Sequence, residues 1–360
     1  MTDAATPTER RAPRRRRKGC LIAAIALGLV VVIAIAGAIA YDTLYRAENP
    51  VAAGQPVEFQ VQKGQSVSQI GEALAKAGIV RNANMFRWQA RNSNVANKLL
   101  PGSYTLATGM PYDLVLKKLA SGPDIVYYDV TIPEGFTVRR IAARFAKETG
   151  VSETELLKLV LRGAPQFSAR HPYLKGAYDG SLEGFLFPKT YHIKQGTSAT
   201  DIIEKMLDQF DEEFASVDMT YAASKNLDVK DVVIIGSILE RETKLPKEYP
   251  LVASVIYNRL ALPMRLQLDS TVFYGLPEGT KILRTVDIQT QTPWNTYRMS
   301  GLPSTPICNP GIAALKAAAK PAKTKYLYYV LTSKDGSQTF TTNYEDFLKA
   351  VQKYRKLFGY

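Results

Sequence analysis

The residues best placed to do chemistry lie between 230 and 310. The segment from Asp231 to Thr243, DVVIIGSILERET, reads as a buried helix with Asp231 near its start. Stepping back from Glu240 by three or four positions reaches Ser237 and Gly236, then Val233, so the carboxyl follows a face of small and apolar residues. Small neighbours leave room for a ligand. Apolar neighbours disfavour a charged carboxylate, the condition that a general acid near neutral pH requires. Glu242 lies about 200° further round the helix and does not pair with Glu240. The plainer alternative is an ordinary helix-end glutamate facing solvent.

The stretches that follow favour chemistry on a carbohydrate. Pro250 to Leu260 reads as a second helix. Residues 264–275, 292–297 and 301–311 are rich in amides, hydroxyls and aromatics, with prolines and glycines fixing the backbone. Aromatic faces stack on sugar rings, and Asn and Gln pair with hydroxyls and acetamides, so such loops suit a long neutral glycan. Ordinary structured loops have the same composition. Other chemistries fit poorly. The two histidines, His171 and His192, match no zinc-ligand spacing, and no G-x-S-x-G elbow is present. No metal site and no cofactor are expected.

Positioning these segments falls to a repeated small unit. Phe59 to Leu74, Tyr104 to Leu119, Val130 to Phe145 and Tyr191 to Met206 share one pattern. Each has a short alternating strand, a turn glycine (Gly64, Gly109, Gly135, Gly196), and Ser, Thr or Pro two residues later to open a helix. Apolar residues then fall six and ten positions after the glycine, on one helix face. The turn glycines read as scaffold. Strand–turn–helix units need partners to bury their apolar faces, so the body is expected to be α+β. The first unit resembles the start of a LysM module, a peptidoglycan-binding fold.

The N-terminus sets the compartment. Gly19 to Tyr41 is 23 residues without a charge. As a helix it is about 34 Å long, enough for a bilayer core of about 30 Å. The run is too long and too poor in a small-residue end for a cleaved signal peptide, which leaves an uncleaved anchor. Of the net charge of +13, the first 18 residues carry +5, from seven basic residues against Asp3 and Glu9. By the positive-inside rule the tail is cytoplasmic and residues 42–360 lie outside. An exported body cannot meet chromosomal DNA, so the basic charge does not imply a nucleic-acid partner. Cys20 precedes the apolar run and Cys308 is then alone outside, so no disulfide is available.

Several strings together resemble the endolytic murein transglycosylase (MltG/YceG-like) family. They are LEGFLFP from Leu182 to Pro188, SILERET from Ser237 to Thr243, ASVIYNRL from Ala253 to Leu260, RLQLD from Arg265 to Asp269, and NTY from Asn295 to Tyr297. The resemblance spans nearly the whole chain. It implies a basic tail over 1–18, a transmembrane helix over 19–41, a small LysM-like α+β subdomain over 42–125 and a larger α+β catalytic domain over 126–360. It makes Glu240 the catalytic residue and peptidoglycan strands the substrate, cut between N-acetylmuramic acid and N-acetylglucosamine to leave 1,6-anhydro ends. Glu183, Gln267, Asp269, Asn295 and Tyr297 are the candidates for holding substrate. Asp269 or Glu183 could instead be a second carboxylate, which would make the enzyme a hydrolytic muramidase. A non-catalytic wall-binding anchor is the third reading. Tethering to the inner membrane suggests work on nascent strands beside the peptidoglycan synthases. Gly236 stands where the family usually has alanine. Phe347 stands where it often has histidine, so no role of that histidine is carried over.

The topology is open to a direct check. A reporter that is active only outside the cytoplasm, fused after Tyr360, is expected to be active. Activity from a cytoplasm-only reporter at that site would reverse the orientation.

Overall fold

The computed structural model describes residues 16–45, 52–123 and 125–359 and, within the first helix, the side chains of residues 22–42. Most of the basic tail and the Cys20 side chain lie outside the described residues. Helix α1, Arg16–Tyr45, contains the segment Ile22–Asp42, whose mean hydropathy is 2.9 and of which nothing is buried inside the protein. It is long and apolar enough to cross a membrane.

The rest of the chain forms two compact units that divide between Ile125 and Val126. The first runs β1 (Pro56–Val61), α2 (Val67–Lys76), α3 (Ala83–Asn92), β2 (Gly102–Ala107) and α4 (Tyr112–Ser121). Strands β1 and β2 pair antiparallel, from Pro56 opposite Ala107 to Val61 opposite Gly102. The second unit opens with β3 (Tyr127–Thr131), α5 (Val138–Thr149) and α6 (Glu153–Arg162), then β4 (Thr190–Lys194) and α7 (Ala199–Phe214). It continues through α8 (Val229–Glu242), α9 (Tyr249–Leu260), α10 (Asp269–Tyr274) and α11 (Ile312–Ala319). The hairpin β5 (Tyr328–Leu331) and β6 (Gln338–Thr341) and helix α12 (Tyr344–Phe358) close it. The architecture is α+β, with two-stranded antiparallel sheets among many helices.

All four repeated units form a strand, a turn and a helix. Their glycines take φ between +70° and +87°, where a side chain is disfavoured. Ser66, Thr137 and Ser198 then cap α2, α5 and α7 by accepting from a backbone N–H three residues on, while Pro111 opens α4 without such a bond. The units work in pairs. β1 pairs with β2, and β3 with β4, from Tyr127 opposite Lys194 to Thr131 opposite Thr190. Ile70, Leu74, Val115 and Leu119 share one core, and Ile141, Phe145, Ile202 and Met206 share the other. Each helix face is thus buried in a core that its pair of units shares.

Helix α8 runs through the middle of the second core. Every residue from Val232 to Leu239 is buried. Its cap is Asp228, which accepts from the Asp231 N–H while Asp231 accepts from the Asp228 N–H, both at 3.0 Å. Gly236 faces α11: a Cβ there would sit 3.2 Å from a Leu315 methyl, so glycine lets the two helices approach.

Two glycines with similar backbone and different surroundings give a stability test. Gly196 has φ +81° and open space around it, whereas Gly184 has φ +91° and a Cβ would lie 2.5 Å from Pro306. Gly196→Ala should cost about 1–2 kcal/mol through its backbone alone. Gly184→Ala should cost roughly a further 1–3 kcal/mol by overpacking. Denaturant unfolding measures both, and equal losses would mean the 184 turn does not pack against Pro306 as described.

Candidate active site

Burial of α8 leaves only its ends to meet a ligand, and its last turn carries Glu240. The half-buried carboxylate is held by two donors. The Tyr249 hydroxyl, at the first residue of α9, donates to Oε1 at 2.9 Å. The Gly311 N–H, at the cap of α11, donates to Oε2 at 3.1 Å. An amide at a helix N-terminus favours negative charge beside it.

The turn of the third repeated unit closes over the same point. The Gly135 N–H donates to the Asn309 carbonyl and the Asn309 N–H to the Phe136 carbonyl, both at 2.9 Å. A Cβ on Gly135 would lie 3.6 Å from Cγ of Glu240. Gly311 has an ordinary φ of −79°, and a Cβ there would overlap the carboxyl of Glu134, so any side chain at 311 would make the exposed Glu134 side chain move aside. Glu134 and Glu240 therefore meet at Gly311, with Glu134 on the solvent side. Partial burial, then the Glu240 charge, push the Glu134 carboxyl above its ordinary range. Burial and the charges of Glu240 and Glu134 likewise push the Tyr249 phenol up.

Glu134 is the site residue that the sequence reading passed over, because the turn glycines read as scaffold. A signal was present. The residue before the turn glycine is Lys63, Thr108 and Gln195 in the other units and a carboxylate in the third alone. Asn309 was missed too. Its side chain donates to the Phe136 carbonyl and to Glu183 Oε1, and accepts from the Leu186 N–H, each at 2.9 Å.

The residues singled out from the sequence fall into distinct environments. Glu183 is buried beneath the site, accepting from the Val138 N–H at 3.1 Å and the Tyr274 hydroxyl at 2.9 Å besides Asn309. Burial pushes it up to about 8 against the pull of these donors. Glu242 accepts from the Tyr329 hydroxyl at 2.8 Å, on a different side of α8 from the partners of Glu240. Burial raises it as well.

Gln267, Asp269, Asn295 and Tyr297 come together where the start of α10 adjoins the loop over residues 290–297. The Leu268 N–H donates to Thr296 Oγ1 at 2.9 Å, and the Tyr297 hydroxyl donates to Asp269 at 2.6 Å. Asn295 is buried, donating to the carbonyls of Asp287, Ile288 and Thr290 at 3.2, 2.9 and 2.7 Å, and so clasps its loop from within. Gln267 is exposed and has φ +50°, a left-handed backbone uncommon for a residue with a side chain.

Two cavities border this region. The larger, of 1090 Å³, is lined by Thr137, Arg241, Phe273, Tyr274, Trp294 and Ile307 among others. The smaller, of 550 Å³, runs along residues 301–306. Both reach Glu183 and Thr305. Glu240 lines neither, although its neighbour Arg241 lines the larger. His171 with Glu204 and Asp208 is a grouping that could in principle ligate a cation. The Arg170 guanidinium already occupies both carboxylates, at 2.7 and 2.6 Å, and His171 pairs with Asp211 at 2.7 Å.

Fold and site together give an α+β protein in which two carboxylates, Glu240 and Glu134, are gathered at the end of a buried helix. Residues 59–353 match the YceG-like family, and the chain belongs to it. An endolytic murein transglycosylase of Bacillus subtilis is 30% identical over 307 residues, which are 83% of this chain and 84% of that protein. A protein of the same description from Streptococcus pneumoniae is 30% identical over 322 residues, and there the match spans only 58% of that protein. A crystal structure of a YceG-like protein from Listeria monocytogenes, 30% identical, superposes with a TM-score of 0.56 over 82% of this chain and 99% of that one.

The buried Glu183 makes stability depend on pH. The folded state holds its proton up to about pH 8, whereas the unfolded chain releases it near 4.3. Between those values the folded state binds more protons, so stability should fall as pH rises, by up to roughly 1.4 kcal/mol per unit. Glu183→Gln should remove this contribution to the slope. Unfolding midpoints of the detergent-solubilised chain across that window test it, and an unchanged slope would place the proton elsewhere.

Proposed function

We propose that this protein is a membrane-anchored endolytic transglycosylase of peptidoglycan, cleaving between N-acetylmuramic acid and N-acetylglucosamine inside the strand and leaving 1,6-anhydro ends. The observation that carries the reading is Glu240, the one carboxylate that the buried helix α8 presents at its end to a tyrosine hydroxyl and a helix-cap amide. The names of the Bacillus and Streptococcus relatives support the substrate.

Glu240 acts first as acid. It donates its proton to the glycosidic oxygen as the bond from C1 of the muramoyl residue to that oxygen breaks. The muramoyl 6-hydroxyl then attacks C1, and its proton returns to Glu240. The nucleophile belongs to the substrate, so one carboxyl completes the cycle and no water is consumed. Tyr249 and Gly311 hold the carboxylate between the two steps. Gln267, Asp269 and Tyr297, exposed or half-buried at the start of α10 and on the loop beside it, are proposed to contact the strand, while Glu183 and Asn295 support the segments that do. The hydrolytic alternative draws support from Glu134, a second carboxylate of the kind that hydrolases use.

The apolar helix α1 and the basic residues before it support a single span with the body outside the cytoplasm. That location suits action on nascent strands next to the synthases. The β–α–α–β order of the first unit supports a LysM-like wall-binding role.

Glu240→Gln keeps size and removes the transferable proton, so cleavage of isolated peptidoglycan should fall on the order of 10²-fold or more. Glu242→Gln should do much less. Mass spectrometry of the wild-type products should find 1,6-anhydro ends. Reducing ends would establish the hydrolase instead, and an active Glu240→Gln would remove the proposed acid.

A further inference from the structure

The larger cavity is basic, and a neutral glycan gives no reason for that. Its cationic lining residues are Arg139 and Arg140 in the first turn of α5, Arg162 at the end of α6, Arg241 on α8 and Lys281 in the loop after α10. Its acids are Asp179, Glu183 and Glu278. Arg162 pairs with Asp179 at 3.9 Å and Arg140 with Glu278 at 3.8 Å. Glu183 is buried and pushed up to about 8, so it brings little charge at pH 7. Arg139, Arg241 and Lys281 remain, all exposed and none in an ion pair among the described residues. Cations gathered in a cleft focus their field on an anion that enters it.

The position of the cavity narrows the choice of anion. Arg241 follows Glu240 directly on α8, so the cavity begins beside the proposed point of cleavage. Its 1090 Å³ lies at about the upper end of the range for ligand pockets. The sugars of a peptidoglycan strand are neutral, but a muramoyl residue carries a lactyl-linked peptide whose free carboxyls are ionised at pH 7. That peptide leaves from C3 of the ring that is cut at C1, so it runs out next to Glu240. We propose that the cavity is a subsite for this acidic peptide, its carboxylates taken by Arg139, Arg241 and Lys281, so that the enzyme cuts peptide-bearing strands in preference to stripped ones. The inference rests on the reading of the chain as a peptidoglycan transglycosylase. Arginine suits the role, since its fork of N–H donors matches a carboxylate. Phe273, Tyr274 and Trp294 on the same wall offer apolar faces to the peptide between its charges.

The test compares strands that carry their peptides with the same strands stripped by an amidase, using the full chain in detergent. Wild type should show kcat/KM about 10-fold higher on the peptide-bearing strands, with the difference in KM and shrinking at about 0.5 M salt. Arg139→Gln, Arg241→Gln and Lys281→Gln combined should bring the ratio close to one. Arg139→Lys with Arg241→Lys keeps the charge and should hold most of the preference. Lys353→Gln removes a charge on α12, outside the cavity lining, and should leave the ratio as in wild type. A wild-type ratio near one, or a ratio that the combined Gln variant does not move, overturns the inference. A second readout needs no cleavage. The Glu240→Gln chain should bind a fluorescent muramoyl peptide, measured by anisotropy, and adding the three Gln substitutions should raise Kd about 10-fold. Displacement by inorganic pyrophosphate at lower concentration than by unlabelled peptide would assign the cavity to phosphate groups and overturn the peptide. If wild type cleaves neither kind of strand, the proposed function fails and takes this inference with it. If it cleaves both alike, this inference alone fails.

Discussion

The constraint on which the second unit depends is the enclosure of α8. Eight consecutive residues, Val232 to Leu239, are shut off from solvent on every face. A helix buried all round contributes packing along its length and can meet a substrate only where it ends. Its first turn is occupied by the reciprocal cap of Asp228 and Asp231. Its last turn is therefore the end left for a ligand, and the start of α9, the cap of α11 and the turn after β3 converge there.

That convergence depends on one amide side chain. Asn309 uses both its donors and its acceptor to join Phe136, Glu183 and Leu186, while its backbone locks the turn over Glu240. Its amide groups are buried and could find no water if a partner were lost, so each bond is worth more than a surface bond of the same length. Glu183 belongs to this assembly. Its raised proton affinity follows from burial, and it ties the loops by accepting hydrogen bonds from Val138, Tyr274 and Asn309.

The second unit thus contains several carboxyls in enclosed surroundings, and partners separate their roles. Glu183 faces three donors inside the core, and Glu242 a tyrosine on β5. Glu240 faces a tyrosine, a cap amide and another acid at the edge of solvent. Only the last arrangement lies at the edge of solvent, where a substrate can reach it. The same repeated unit has a neutral or basic residue before its turn glycine in three of its copies and, in the third, a carboxylate beside Glu240 on an unchanged backbone turn.

Much of this was legible in the sequence because it is local. The glycine, the capping residue two positions later and the apolar pair six and ten positions on determine a strand–turn–helix whatever surrounds it, and all four form. The run from Ile22 to Asp42 likewise specifies an apolar helix by composition alone. The buried character of α8, and the separation of Glu240 from Glu242, follow from helical periodicity. Which units pair is not a local property: it required β3 to meet β4 across some sixty residues. Asn295 shows the same limit, since an amide in a polar loop suits a ligand equally well until the carbonyls of residues 287–290 close on it. Glu134 and Glu240 stand more than a hundred positions apart, and no spacing rule connects them. Only folding, by bringing Gly135 and Gly311 to one place, sets the two acids side by side.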